Sequence, residues 1–171
     1  MATREVNNSL DVIRYEGEDL FRTVVGRNDV ERRLAQPRGT TDFSRVGEQL
    51  QTLVEEFENS PQGRRAREIV NEINIRDLTA SSLTEIGSQI FKNGINGCSL
   101  TVFYVFCKEL MKRCWNAGVN LVRNIYIWTT DFIFDTICPW VADNGGWGKV
   151  LGMIAGALGL IALVGLFLFL L

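Results

Sequence analysis

Apolar residues recur at helical spacing along most of the chain. From about Ser9 to Val25, Leu10, Ile13, Leu20, Phe21 and Val24 are apolar with Glu16, Glu18, Asp19 and Arg22 between them, which predicts an amphipathic helix ended by Gly26 or Asn28. A polar linker, about Arg27 to Thr41 with Pro37 in it, leads to a second helix for which Asp42 or Ser44 is the N-cap. Val46, Leu50, Leu53 and Phe57 then follow at steps of four, three and four, on one narrow face. After Ser60-Pro61-Gln62-Gly63, a helix that starts with basic residues runs through Ile69 and Ile73. Ser82 and Glu85 have capping-box spacing for a helix carrying Ile86, Ile90 and Phe91, stopped by Lys92-Asn93-Gly94. Ser99 to Trp115 and Val119 to Ile137 are apolar on most faces, as central helices wrapped by others should be. The soluble part has no run of period-two alternation with hairpin turns, although the β-branched stretch Asn124 to Phe134 leaves strand open there. Pro37, Pro61 and Pro139 all fall where a helical pattern breaks.

The last part of the chain has a different solvent. Every charged residue lies at or before Lys149, and Val150 to Leu171 is apolar throughout. Those about 22 residues, at about 1.5 Å each, span roughly 33 Å, enough for a hydrocarbon core of about 30 Å. The expectation is a helical domain over 1–148 and a transmembrane tail anchor over 149–171. Gly148, Gly152 and Gly156 recur at steps of four, with Ala155, Gly159 and Ala162 nearby, and form a ridge on which two membrane helices could pack. Glycine is also common in membrane helices that do not pair.

Charge and composition narrow the chemistry. With 18 Lys+Arg against 20 Asp+Glu there is no basic surface for nucleic acid. Met1 to Leu20 is too polar for a secretory signal, which places the bulk of the chain in the cytosol, where disulfides are not expected. The 4 cysteines, Cys98, Cys107, Cys114 and Cys138, have no C-x-x-C spacing, and the chain has 0 histidines, so zinc patterns and a Cys–His nucleophile are absent. The cysteines are expected as small buried hydrophobes. No acid–base constellation or phosphate loop is present, so neither an enzyme nor a cofactor is expected.

Phe91-Lys92-Asn93-Gly94-Ile95-Asn96-Gly97 resembles the first Bcl-2 homology motif, and Pro139-Trp140-Val141-Ala142-Asp143-Asn144-Gly145-Gly146-Trp147 resembles the second. Val46-Gly47-Glu48-Gln49-Leu50, continuing to Phe57, is similar to the third, and Glu18-Asp19-Leu20-Phe21-Arg22 is similar to the first helix of Bak-like members. Each has a plainer explanation alone. Trp147 could be an interfacial aromatic before a membrane span, and the stripe could be the inward face of any bundle helix. Their order along the chain, with an apolar hairpin and an anchor in the family's places, identifies a Bcl-2 family pattern.

The resemblance implies an all-α fold, a bundle of about eight helices around a central apolar hairpin, plus one C-terminal transmembrane helix. It implies a groove formed by Ile86, Ile90, Asn96, Gly97, Ser99, Val102 and Phe106, and a third-motif helix presenting Val46, Leu50, Leu53, Glu55 and Phe57. Helix-in-groove recognition is the mode for which this family is known. Two departures stand out: Val54 and Glu55 replace the usual glycine and aspartate, and Gly97-Cys98-Ser99 replaces tryptophan, glycine and arginine, so Ser99 cannot supply a charge-assisted bond to a ligand. The implied function is regulation of apoptosis as a Bak-like effector. Such a protein binds amphipathic helices of its relatives, forms homo-oligomers on activation and permeabilises the outer mitochondrial membrane. A pro-survival protein that sequesters such helices, and a tail-anchored scaffold with no groove function, are the alternatives. The expected location is the cytosolic face of the outer mitochondrial membrane, with the endoplasmic reticulum as the other possibility.

Overall fold

The computed structural model describes residues 2–26, 44–156 and 159. The Arg27–Thr41 linker with Pro37, the Asp42 cap and most of the expected membrane span, 157–158 and 160–171, lie outside the described residues. The helices are α1 (Ala2–Val25), α2 (Ser44–Glu58), α3 (Pro61–Glu72), α4 (Ala80–Ile90), α5 (Gly97–Trp115), α6 (Val119–Phe132) and α7 (Cys138–Asp143). A π-helical turn, Ile133–Ile137, joins α6 to α7, and a further helix, α8, runs from 147 to 156. No strand occurs among the described residues, and residues 124–134, where strand had been open, are helical.

Local chemistry explains most boundaries. Ser60 is the N-cap of α3, its hydroxyl accepting from Gly63 N, and Pro61 takes the first turn, where its missing N–H leaves nothing unpaired. The expected capping box at Ser82 and Glu85 is not the start of α4. Thr79, held extended at φ −122 and ψ 166, caps that helix by accepting from Ser82 N, so Ser82 already lies in the first turn. Helix α1 begins before Ser9 because residues 2–8 contain no glycine or proline to stop it. Pro139 sits just past the π turn, in which Cys138 N–H donates back to Ile133 O. A widened turn keeps the helix continuous ahead of a ring that would clash with an α-helical carbonyl.

Helix α5 is the centre of the bundle and packs against α1, α2, α3, α4 and α6. Leu100, Phe103, Tyr104, Val105, Cys107, Leu110 and Met111 along it are buried, which is why its sequence shows no clean polar stripe. Phe91, Phe103 and Phe132 form an aromatic cluster with centroids 5.3 to 6.1 Å apart, joining the end of α4 to α5 and α6. Gly87 on α4 lies directly under the Phe132 ring. A second tie runs from α1 to α6: Arg22 Nη2 pairs with Glu18 Oε1 at 2.7 Å, Arg22 Nε donates to Tyr126 Oη at 2.8 Å, and Tyr126 Oη donates to Glu18 Oε1 at 2.9 Å.

The expected boundary between 148 and 149 falls inside α8. Trp147, Val150, Leu151 and Ile154 of that helix are buried in the same core as α1 and α5. Among the described residues no helix is long and apolar enough to cross a membrane.

Candidate functional site

Helix α2 buries Leu50, Val54 and Phe57, while Leu53 is only half-buried. At about 100° per residue, Val54 and Leu53 stand about 40° and about 60° to either side of Leu50, and the core takes the Val54 side. Val54, a departure from the motif, faces inward beside Leu50, and Leu53 lies at the edge of the buried face. Val46 is in α2, with its side chain outside the described residues. Glu55 is exposed and accepts from Gln51 Nε2 at 3.1 Å.

Leu53, with Gln49 and Thr52, forms one wall of an open cleft of about 520 Å³. The other wall is α8, through Gly148, Leu151, Gly152 and Ala155. A Cβ placed on Gly148 or Gly152 would meet nothing within 4 Å, so this wall offers bare backbone to whatever enters, and the same holds for Gly156 one turn beyond the cleft. The cleft is mainly apolar and within the size range of small-ligand pockets, about 300 to 1,000 Å³.

The groove residues expected on α4 and α5 do not line this cleft. Ile86, Ile90 and Val102 are half-buried against the core, and Phe106 is buried in it. Asn96 and Ser99 are committed to the start of α5: Asn96 Oδ1 accepts from Ser99 N at 3.0 Å, and Ser99 Oγ accepts from Asn96 N at 2.9 Å. Gly97 is the buried first residue of that helix. Ser99, expected at the position of a ligand-binding arginine, is thus occupied in a capping box.

The second motif turns the chain from α7 into α8. Pro139 lies in the first turn of α7 and Trp140 is half-buried. Gly145 and Gly146 adopt φ of 89° and 91°, and Gly146 N–H donates to Val141 O at 2.9 Å, closing the end of the helix. Trp147 is 1% exposed, so it is a core residue and not an interfacial aromatic. Its Nε1 donates to Ile13 O at 2.9 Å, and its ring meets Tyr104 edge-on at 6.5 Å. Gly17 makes the seat, since a Cβ there would stand 3.1 Å from Trp147 Cζ2.

Sequence reading missed a buried charge cluster. Glu58, at the end of α2, is 8% exposed, and Glu109 on α5 is 9% exposed. Lys108 Nζ is 2.9 Å from Glu58 Oε2, Lys112 Nζ is 3.0 Å from Glu109 Oε1, and Arg67 Nε of α3 is 3.7 Å from Glu109 Oε2. Burial alone would raise the Glu109 carboxyl. Its hydrogen bond with Lys112, and the charges of Lys112 and Arg67, outweigh that and hold it below the ordinary carboxylate value. The available signal was Lys108, Glu109 and Lys112 inside an otherwise apolar helix, since such charges are buried only with partners.

Nucleophilic chemistry finds no support here. Burial raises the Cys107 thiol and pushes Cys138 up to about 12 and Cys114 up to about 11, so none is an activated thiolate. Cys98 departs from the expected pattern by being exposed, in the first turn of α5. Among the described residues no group of His, Cys, Asp and Glu could hold a metal ion.

Residues 44–147 match the family described as apoptosis regulator proteins, Bcl-2 family. Apoptosis regulator R11 of Xenopus laevis is 28% identical over 111 residues, 62% of this chain and 54% of that protein. Apoptosis regulator BAX of Rattus norvegicus is 26% identical over 124 residues, 69% of this chain and 60% of that one. Bcl-2-like protein 1 of Gallus gallus is 28% identical over 109 residues, 62% of this chain and 47% of that one. The chain thus spans about half the length of these relatives. In fold it is similar to Trichuris suis BCL-2, with a TM-score of 0.70 at 18% identity, covering 88% of this chain and 96% of that one. Trichoplax adhaerens trBcl-2L2 bound to trBak BH3 gives a TM-score of 0.63 at 17% identity, covering 81% and 97%. Chicken BOK gives 0.60 at 19% identity, covering 81% and 93%. The family match covers more than half of the chain, from α2 to Trp147 at the base of α8, and the helical fold agrees with it: the chain belongs to the Bcl-2 family of apoptosis regulators.

Proposed function

We propose that the chain is a Bak-like effector. Its cleft takes an amphipathic third-motif helix, activated copies assemble, and the assembly permeabilises the outer mitochondrial membrane from the cytosolic side. The observation that carries this reading is the double use of α2: one face seals the core with Leu50, Val54 and Phe57, and the flank beside it walls a cleft. A helix that left the core would carry its own recognition stripe, each side chain worth about 1.5 to 3 kcal/mol when fully buried against a partner. The fold likeness to a protein bound to a BH3 segment supports a helix as the ligand. The apolar stretch Val150–Leu171 would hold the protein in the membrane, mitochondrial in preference to endoplasmic reticulum. In that setting the bare backbone at Gly148, Gly152 and Gly156 would let two α8 helices approach closely. Val54 and Glu55 favour a second reading, a survival protein that only sequesters helices, because they make α2 an unconventional ligand.

A peptide of about Asp42 to Ser60, titrated against the full chain, is expected to bind. Its Leu50→Glu form should lose at least about 30-fold, or about 2 kcal/mol, because the carboxylate is desolvated without a partner. Full-length protein on dye-filled liposomes should release dye when an activating helix is added. Binding without release, together with suppression of release by a relative, would establish the survival reading. No binding by either peptide would leave a scaffold.

A further inference from the structure

Helix α2 is held along its buried face by apolar contacts and at its last residue by charge. Glu58 Oε2 meets Lys108 Nζ at 2.9 Å, and both side chains are about nine-tenths buried. Glu58 Oε1 has no hydrogen bond, and Lys112 Nζ stands 3.7 Å from it. The Glu58 carbonyl accepts from Arg67 Nη2 at 3.3 Å. Arg113, on the next turn of α5, donates to Ile73 O at 2.8 Å and also to Val70 O, gripping the other end of α3. Lys108 and Lys112 on one edge of α5 therefore hold the corner where α2 turns into α3, Arg113 holds the far end of α3, and the stripe of α2 is held by apolar burial.

We propose that the Glu58–Lys108 ion pair, surrounded by Arg67, Glu109 and Lys112, is a latch that sets how readily α2 leaves the core. A buried ion pair adds little net stability, because the energy of pairing is offset by lost hydration. Its effect is directional. With the pair intact Lys108 Nζ and Glu58 Oε2 satisfy each other in place, and a partial withdrawal of α2 strands both groups in a poorly hydrated site before water reaches them. Small excursions of α2 are therefore opposed, and a complete one is not, since both charges are then hydrated. What release is used for rests on the effector reading; the latch itself does not.

The test is hydrogen exchange on the full chain under native conditions, comparing the amides of Leu50–Glu58 with those of Leu83–Ile90 in α4. Lys108→Met takes from the buried Glu58 its hydrogen-bonded partner and leaves it only Lys112 at 3.7 Å, and is expected to speed exchange in α2 by about tenfold with α4 unchanged. The double variant Glu58→Met with Lys108→Met, which removes the pair and keeps bulk, is expected to leave α2 exchanging faster than the parent and slower than Lys108→Met, with α4 unchanged. Glu58→Gln, the mildest change, should give a smaller acceleration in the same segment, and keeps the proposal testable if Lys108→Met does not fold. Unchanged α2 exchange, an equal rise in α2 and α4, or a double variant that exchanges at or below the parent rate overturns the latch. If exchange responds as expected but helix-triggered dye release is absent in every variant, the latch stands and the effector reading falls.

Discussion

Cys98 shows how a residue's chemistry follows from its place in a helix. In the first turn of α5 it is exposed, whereas Cys107, Cys114 and Cys138 are buried and their thiols are raised by desolvation. A thiol reagent at neutral pH is expected to label one cysteine of the native protein quickly, and Cys98→Ser should remove that signal while leaving three thiols that react in denaturant. Fast labelling of the Cys98→Ser protein would mean that the core around α5 opens. Sequence alone assigned all four cysteines to the interior. The exception was hidden because the position depends on where α5 begins, and that is fixed by the pairing of Asn96 with Ser99.

Packing between α4 and α6 depends on an absent side chain. A Cβ on Gly87 would lie 2.5 to 3.0 Å from three atoms of the Phe132 ring, and that ring is held by Phe91 and Phe103. Gly87→Ala is therefore expected to destabilise the fold by about 1 to 3 kcal/mol, despite the better helix propensity of alanine, read as a fall in the urea midpoint. An unchanged or higher midpoint would show that the ring moves aside freely. At this scale much was legible: α5 and α6 announced themselves by being apolar on most faces, and α2 by its stripe. The choice between Leu53 and Val54 was not legible, since a helix pattern leaves the orientation of the edge positions open by tens of degrees. Nor were the partners of Lys108 and Glu109, which come from Glu58 at the end of α2 and Arg67 in α3.

Across the whole molecule, α1 and α8 are joined at Trp147. Trp147→Phe keeps most of the ring packing but loses the bond to Ile13 O, and is expected to cost about 1 to 3 kcal/mol, measured as a lowered Tm of the single cooperative transition. Loss of α8 alone, with the rest melting as before, would show that α8 is an appendage. The tryptophan was legible as part of a motif. Its partner was not, because nothing near position 13 marks a carbonyl that will be bonded from 134 residues away. That separation has a consequence for synthesis. The ribosome makes the Gly17 seat early and its occupant late, so the seat cannot be filled until nearly all of the described chain has been made. The residues that then close the core, Val150, Leu151 and Ile154, also open the apolar stretch proposed above as the anchor. On that proposal, completion of the fold and entry into lipid would compete for one segment of newly made protein, and the faster of the two would decide which state is populated first.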